Sequence, residues 1–212
     1  MMKQGILFIG ILLAGLTACG QTQTDAKKVA DRPSQKEMDT LQKAYFASGC
    51  FWCVEGVFES VDGVREVVSG YTGGQTKNPT YEEVCTGRTG HAESVEVYYD
   101  STKVSYQTLL TVFFGSHDPS TKNRQGPDGG TQYRSAIFYN NVAEREAAKH
   151  YIDSLLDNRI YPVITTEVSP LTTFYHQNYE CNNPNNPYVQ NVSVPRINKF
   201  KAAYPTLLKK EE

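Results

Sequence analysis

Ala44-Tyr45-Phe46-Ala47-Ser48-Gly49-Cys50-Phe51-Trp52-Cys53-Val54-Glu55 is the stretch whose reading decides the fold. Residues 44–48 read as a short strand. From Phe51 to about Ser60, Val54, Val57 and Phe58, continued by Val61, recur at helical spacing. Glu55 and Glu59 fall off that face, so this part reads as a helix. Gly49 separates the two, and Cys50 sits where strand becomes helix.

The same periodicity can be followed outward. Residues 64–69 are β-branched and read as a strand, as do 94–99, which alternate, and 135–139. Residues 105–116 form a helical pattern carrying Leu109, Val112 and Phe113, and 141–158 one carrying Ala148, Ile152 and Leu155. A strand is expected over 163–168 and a final helix over 197–203. Two Gly- and Pro-bearing intervals, 70–90 and 118–130, read as long loops, the first with one helical turn near Tyr81. The first six elements run β-α-β-β-α-β, the split βαβ pattern. The expected class is α+β: a two-layer α/β sandwich, helices on one face of a mainly antiparallel or mixed sheet, with a ferredoxin-like core. Long loops in so small a domain are commonly functional.

The 212 residues suit one domain plus a modest appendage, and fourteen of them are Tyr. A net charge of -2 with scattered basic residues gives no footprint for nucleic acid. At the N-terminus Lys3 precedes an apolar run over 6–16, too short to span a membrane and typical of a secretory signal. It ends in Leu16-Thr17-Ala18-Cys19, which resembles a lipobox; a plain signal peptide with an incidental Cys is the blander alternative. The expected organisation is a lipoprotein signal peptide (1–18), a lipidated Cys19 opening a polar tether (19–41) that cannot bury a core, a catalytic domain (42–205) and a tail (206–212). The expected address is extracytoplasmic, lipid-anchored to a bacterial membrane on the periplasmic side of the outer membrane. A monomer is expected.

Four cysteines remain: Cys50, Cys53, Cys85 and Cys181. Cys-x-x-Cys spacing favours redox chemistry over stapling. A helix N-terminus presents free N–H groups and partial positive charge, which would lower the Cys50 thiol from roughly 8.5 and make it a nucleophile. Cys53 lies on the same helix face, within reach of a strained and therefore labile disulfide. No Cys/His spacing supports zinc or haem, and no phosphate loop or dinucleotide fingerprint is present.

Further motifs follow in order: Gly70-Tyr71-Thr72-Gly73-Gly74, Asn78-Pro79-Thr80-Tyr81, Gly90-His91-Ala92-Glu93, Gln125-Gly126-Pro127-Asp128, Thr131-Gln132-Tyr133-Arg134-Ser135 and His176-Gln177-Asn178-Tyr179. With Gly49-Cys50-Phe51-Trp52-Cys53 they resemble the A-type peptide-methionine sulfoxide reductases from about Ala44 to Tyr204. The resemblance implies that Cys50 attacks the sulfoxide sulfur while Glu93, kept neutral by burial, protonates its oxygen. It also implies that Tyr81 and Tyr133 hydrogen-bond that oxygen, that Asp128 orients them, and that Phe51 and Trp52 hold the substrate methyl. Methionine S-sulfoxide, free or in oxidised proteins, would be the substrate. No bound cofactor is implied; a thioredoxin-like dithiol would be the external reductant. This chain departs from the better-known pattern by carrying Cys53 where many relatives have Gly, and Val189 where some carry Cys. Cys53 is therefore the expected resolving thiol, with Cys181 the second candidate and Cys85 structural. His176 directly follows Phe174-Tyr175, whereas relatives have intervening residues, and it is given no catalytic role. Two other readings compete: a general thiol-disulfide oxidoreductase using the Cys50–Cys53 pair, and a lipid-anchored binding protein.

Overall fold

A computed structural model describes residues 33–177 and 187–210, the Val189 side chain excepted. Cys19 and Cys181 lie outside these residues. The chain opens with a short helix, α1 (Gln35–Met38), closed by a capping box between Ser34 and Glu37. Then come β1 (Gln42–Ser48), α2 (Phe51–Glu59), β2 (Val64–Thr72), α3 (Tyr81–Cys85), β3 (Ala92–Tyr99) and α4 (Tyr106–Gly115). A small hairpin, β4 (Arg124–Gln125) with β5 (Asp128–Gly129), and a 3₁₀ turn (Thr131–Tyr133) lead to β6 (Ser135–Tyr139) and α5 (Val142–Asp157). β7 (Glu167–Pro170), β8 (Tyr175–His176), a π turn (Val189–Ser193), α6 (Val194–Ala203) and a last 3₁₀ turn (Pro205–Leu207) complete it.

The sheet runs β7-β6-β1-β3-β2-β8. Its four central strands pair antiparallel, the arrangement a split βαβ requires. β8 extends one edge antiparallel and β7 the other in parallel, so the sheet is mixed. Helices α2, α4 and α5 lay their apolar residues on one face. At the centre of that face Phe46 stacks on Phe58 and Phe113, with ring centroids 5.0 and 5.2 Å apart. Removing such a ring costs about 3–5 kcal/mol. The opposite face carries a smaller cluster of Tyr45, Ala47, Ala92, Ala136 and Phe138, covered by Leu171 and Phe174.

Three expectations need correction. The strand expected over 163–168 enters the sheet only at Glu167, because the Thr165 N–H bonds the Pro119 carbonyl at 2.8 Å instead of a neighbouring strand. The final helix begins at Val194, three residues before Ile197: Pro195 occupies its first turn, where a missing N–H costs nothing. The strand expected over 94–99 starts at Ala92 and is buried along its whole length, since β3 is central and both of its faces are covered.

Candidate active site

The strand-to-helix junction depends on Gly49. Its φ of +90° lies in the left-handed region, and a Cβ there would stand 2.6 Å from the Gln125 side chain. Cys50 then caps α2, its carbonyl accepting the Cys53 and Val54 N–H groups. Both thiols are free and buried, Cys50 at 6% exposure and Cys53 at 1%.

Glu93 reaches this helix end from β3, whose odd-numbered residues face the helices. The Phe51 N–H donates to its carboxylate at 3.1 Å. Burial pushes the carboxyl up to about 8; the Phe51 bond opposes this, and the charges of Asp128 and Cys53 add to it. The acid is thus held protonated near neutral pH, one residue from the sulfur.

Aromatic rings wall the space beside it. Phe51, fully buried, packs at 5.7 Å from Trp52, 6.3 Å from Tyr81 and 5.8 Å from Tyr71. Trp52 stacks over Tyr81 and meets the edge of Tyr188, both at 6.4 Å. A capping box between Thr80 and Glu83 starts α3 and so fixes Tyr81 at its first position. The exposed Cys85 thiol, at the other end of α3, is among the groups that raise the Tyr81 phenol. Burial raises both Tyr81 and Tyr133, and Glu93 is among the charges acting on each, so the two phenols stay protonated as donors. Asp128, on the β4–β5 hairpin, accepts a hydrogen bond from the Tyr188 hydroxyl. The structure therefore brings Cys50, Cys53, Glu93, Tyr81, Tyr133, Asp128, Phe51 and Trp52 to one end of the sheet.

The helix terminus does not act on Cys50 alone. Its contact with the Cys53 thiol and burial push Cys50 up, and the Trp52 N–H at the helix terminus opposes them. Cys53 is drawn down to about 6: the Cys50 hydrogen bond lowers it, burial opposes, and Arg196 and Ser193 lower it further. Ser193 Oγ stands 3.1 Å from Cys53 Sγ. Ser193, Arg196 and Tyr188 were not identified from the sequence. Tyr188 borders the point where some relatives carry Cys, which is its only signal; Ser193 and Arg196 carry none, being about 140 residues from the thiols along the chain.

The histidines lie elsewhere. His91 accepts the Gly74 N–H at 3.1 Å in a turn. His117 is buried and pulled down to about 3 by desolvation and by Arg196; it bonds the Phe113 carbonyl and the Ser135 hydroxyl. His176 lies on β8 and bonds Glu96, on the far face of the sheet from the thiols. Among the described residues no cluster of His, Cys, Asp and Glu could hold a metal.

Buried paired thiols beside a neutral carboxyl, two phenols and an aromatic wall define a thiol oxidoreductase. The family model for peptide methionine sulfoxide reductase matches residues 42–207, and the chain belongs to that family. It is 50% identical over 165 residues to the peptide methionine sulfoxide reductase MsrA of Nautilia profundicola, covering 76% of this chain and 94% of that protein. Identity to the MsrA of Ruthia magnifica is 48% over 160 residues, covering 76% of this chain and 98% of that one. Among solved structures, methionine sulfoxide reductase A of Corynebacterium diphtheriae is 37% identical, with a TM-score of 0.59 over 71% of this chain and 74% of that chain.

Proposed function

We propose that the protein reduces methionine S-sulfoxide, in oxidised proteins and as the free amino acid, to methionine. The observation that carries this reading is a carboxyl held neutral next to Cys50. Reduction requires the sulfoxide oxygen to gain a proton as its sulfur is attacked, and Glu93 is the acid in reach. Tyr81 and Tyr133 donate to that oxygen, and Asp128 with Tyr188 holds the polar side of the pocket. Phe51 and Trp52 take the methyl.

The Cys50 sulfur attacks the substrate sulfur, Glu93 protonates the oxygen, and the Cys50 thiol proton restores Glu93. Methionine leaves, and Cys50 is left as a sulfenic acid. Cys53 condenses with it to a disulfide, and a thioredoxin-like dithiol returns both thiols. A general thiol-disulfide exchanger would use the cysteine pair but has no need of a protonated carboxyl flanked by phenols. Within this reading, residues 1–18 act as a signal, and a lipidated Cys19 with the 19–41 tether holds a monomeric domain at a bacterial membrane, on the periplasmic side of the outer membrane.

The test is turnover of a dabsylated methionine S-sulfoxide by the full chain in mild detergent. Cys50→Ser should be inactive. Cys53→Ser should complete one stoichiometric round and then stall with a thioredoxin-type reductant; normal recycling would transfer the resolving role to Cys181. Absence of any turnover in the unaltered chain would bring the thiol-exchange reading forward. Incorporation of labelled palmitate, lost in Cys19→Ser, tests the anchor.

A further inference from the structure

The two thiols differ in their surroundings, and the C-terminal segment contributes to the difference by placing Arg196 and Ser193 on the Cys53 side. Arg196 leaves the first turn of α6 and is held from two sides. Its Nε donates to the Ser116 carbonyl at the end of α4 at 2.8 Å, and its Nη2 donates to Ser48 Oγ at the end of β1 at 3.1 Å. A Cβ on Gly49 would stand 3.5 Å from Nη1, so the guanidinium lies against the very turn that presents Cys50. Its charge acts on Cys53 and lowers that thiol. Ser193, fully enclosed at the end of the π turn, places its hydroxyl on the same sulfur. Among the described residues no carboxylate lies within ion-pair distance of Arg196. The nearby His117 is neutral, and the thiol pair supplies the leading charge interactions of this cation.

We propose that Arg196 and Ser193 are positioning residues for Cys53, holding its sulfur as the attacker of oxidised Cys50 and as the sulfur released when the disulfide is reduced. This rests on the sulfoxide-reductase reading and on Cys53 as resolver. In the attack, the Cys53 thiolate supplies the electron pair of the new S–S bond. The S–O bond of Cys50–S–OH breaks, and the hydroxide leaves as water with the Glu93 proton. In the return step a thiolate of the external dithiol attacks Cys50, the less buried residue of the pair, and the S–S bond breaks with its electron pair going to Cys53. A sulfur that carries charge more readily leaves faster. The second thiol of the reductant then displaces Cys50 and becomes a disulfide itself. Of the dithiol's two protons, one ends on Cys50 and one restores Glu93. The groups facing Cys53 that can titrate or carry charge are Cys50, Glu93, Asp128, Tyr188 and Arg196.

The experiment uses the full chain with Cys19, Cys85 and Cys181 replaced by Ser, leaving only the pair. Substrate is added without reductant, and methionine release and disulfide formation are timed separately against pH by acid quench and alkylation. With Arg196 present, disulfide formation should rise with pH to a plateau set by ionisation of Cys53. In Arg196→Met its midpoint should rise by about 1–3 pH units, the usual effect of losing an opposite charge at contact. Its rate at pH 6 should fall severalfold relative to methionine release. Arg196→Lys should restore most of the midpoint, and Ser193→Ala should move it part of the way. If Arg196→Met does not fold, Arg196→Lys and Ser193→Ala carry the test through the same pH profile. An unmoved midpoint in folded variants overturns the proposal. If instead the unaltered pair releases no methionine, or forms no disulfide after releasing it, the underlying reading fails, whatever the variants do.

Discussion

β3 buries two glutamates three residues apart, on opposite faces of the sheet, and they are opposites in chemistry. Glu93 is 1% exposed and Glu96 3%, so burial does not distinguish them. Partners do. Glu93 accepts one backbone N–H and faces another acid and a thiol pair, so burial wins and the carboxyl stays protonated up to about 8. Burial pushes Glu96 up as well. There, hydrogen bonds from Tyr45 at 2.6 Å, Tyr98 at 2.8 Å and Lys43 at 3.1 Å outweigh it and hold the group below the usual carboxylate range. The lesson is that a buried carboxyl becomes an acid catalyst by being denied donors, and a structural anion by being supplied with them.

The largest expected effect separates the two by activity. Glu93→Gln keeps the shape and can still accept the Phe51 N–H, but it has no proton to give. Its kcat should fall by ~10²–10⁴-fold, the usual worth of a positioned acid. Glu96→Gln should leave kcat within about twofold, because it removes no proton from the thiol face. Steady-state assays of both variants check this, and equal losses would break the comparison.

The next effect separates them by stability. Glu96→Ala leaves the Tyr45 hydroxyl without its acceptor in the sheet's small second core and removes a charged partner from Lys43 and His176. A loss of about 2–5 kcal/mol in denaturant unfolding is expected, from an orphaned donor and a broken ion cluster. Glu96 holds its folded-state pKa low, so its contribution is present above the unfolded value of about 4.5 and is lost as pH falls through the folded one. The Glu96→Ala deficit should therefore shrink below pH 4.

Glu93 has the opposite linkage. Its folded pKa of about 8 lies above the unfolded value of 4.5. Between these values the folded protein keeps a proton that the unfolded chain releases, so stability declines as pH rises through that window. Glu93→Gln, although its kcat falls, should gain about 1–3 kcal/mol over the unaltered chain between pH 4 and pH 8, measured by urea unfolding at both. An ordinary exposed carboxylate would show no such crossover.

The contrast between the glutamates also marks what could be read in advance. The split βαβ core was legible because β1, α2, β2 and β3 carry clean periodicities and Gly49 marks the turn between the first two. Glu93 was legible only through the motif around it. Glu96 was not, because an alternating 94–99 reads as a strand with one wet face. β8, Leu171 and Phe174, which cover that face, arrive from far along the chain. Arg196 was hidden for the same reason: a lone Arg beside Pro195 has no local signature, and only the packing of α6 brings it to Cys53. Periodicity reports local structure and motifs report chemistry, but the partner that sets a charge state is a tertiary fact.

The smallest effect concerns His176, which lies within a family motif and invites a catalytic assignment. Its Nε2 meets Glu96 at 3.2 Å, and its side chain is 54% exposed against 4% for its partner. An exposed partner is solvated whether or not the contact forms, and Glu96 retains its three other donors without it. His176→Ala should therefore cost less than about 1 kcal/mol, in the range of exposed ion pairs. High salt should shrink even that, since screening acts on the solvent side of the pair. Its kcat should match that of the unaltered chain, because the histidine and the thiols lie on opposite faces of the sheet. A large kcat loss without a stability loss would mean that the two faces communicate through β2, where His176 pairs with Gly70 one position from Tyr71, and that the separation drawn along β3 is incomplete.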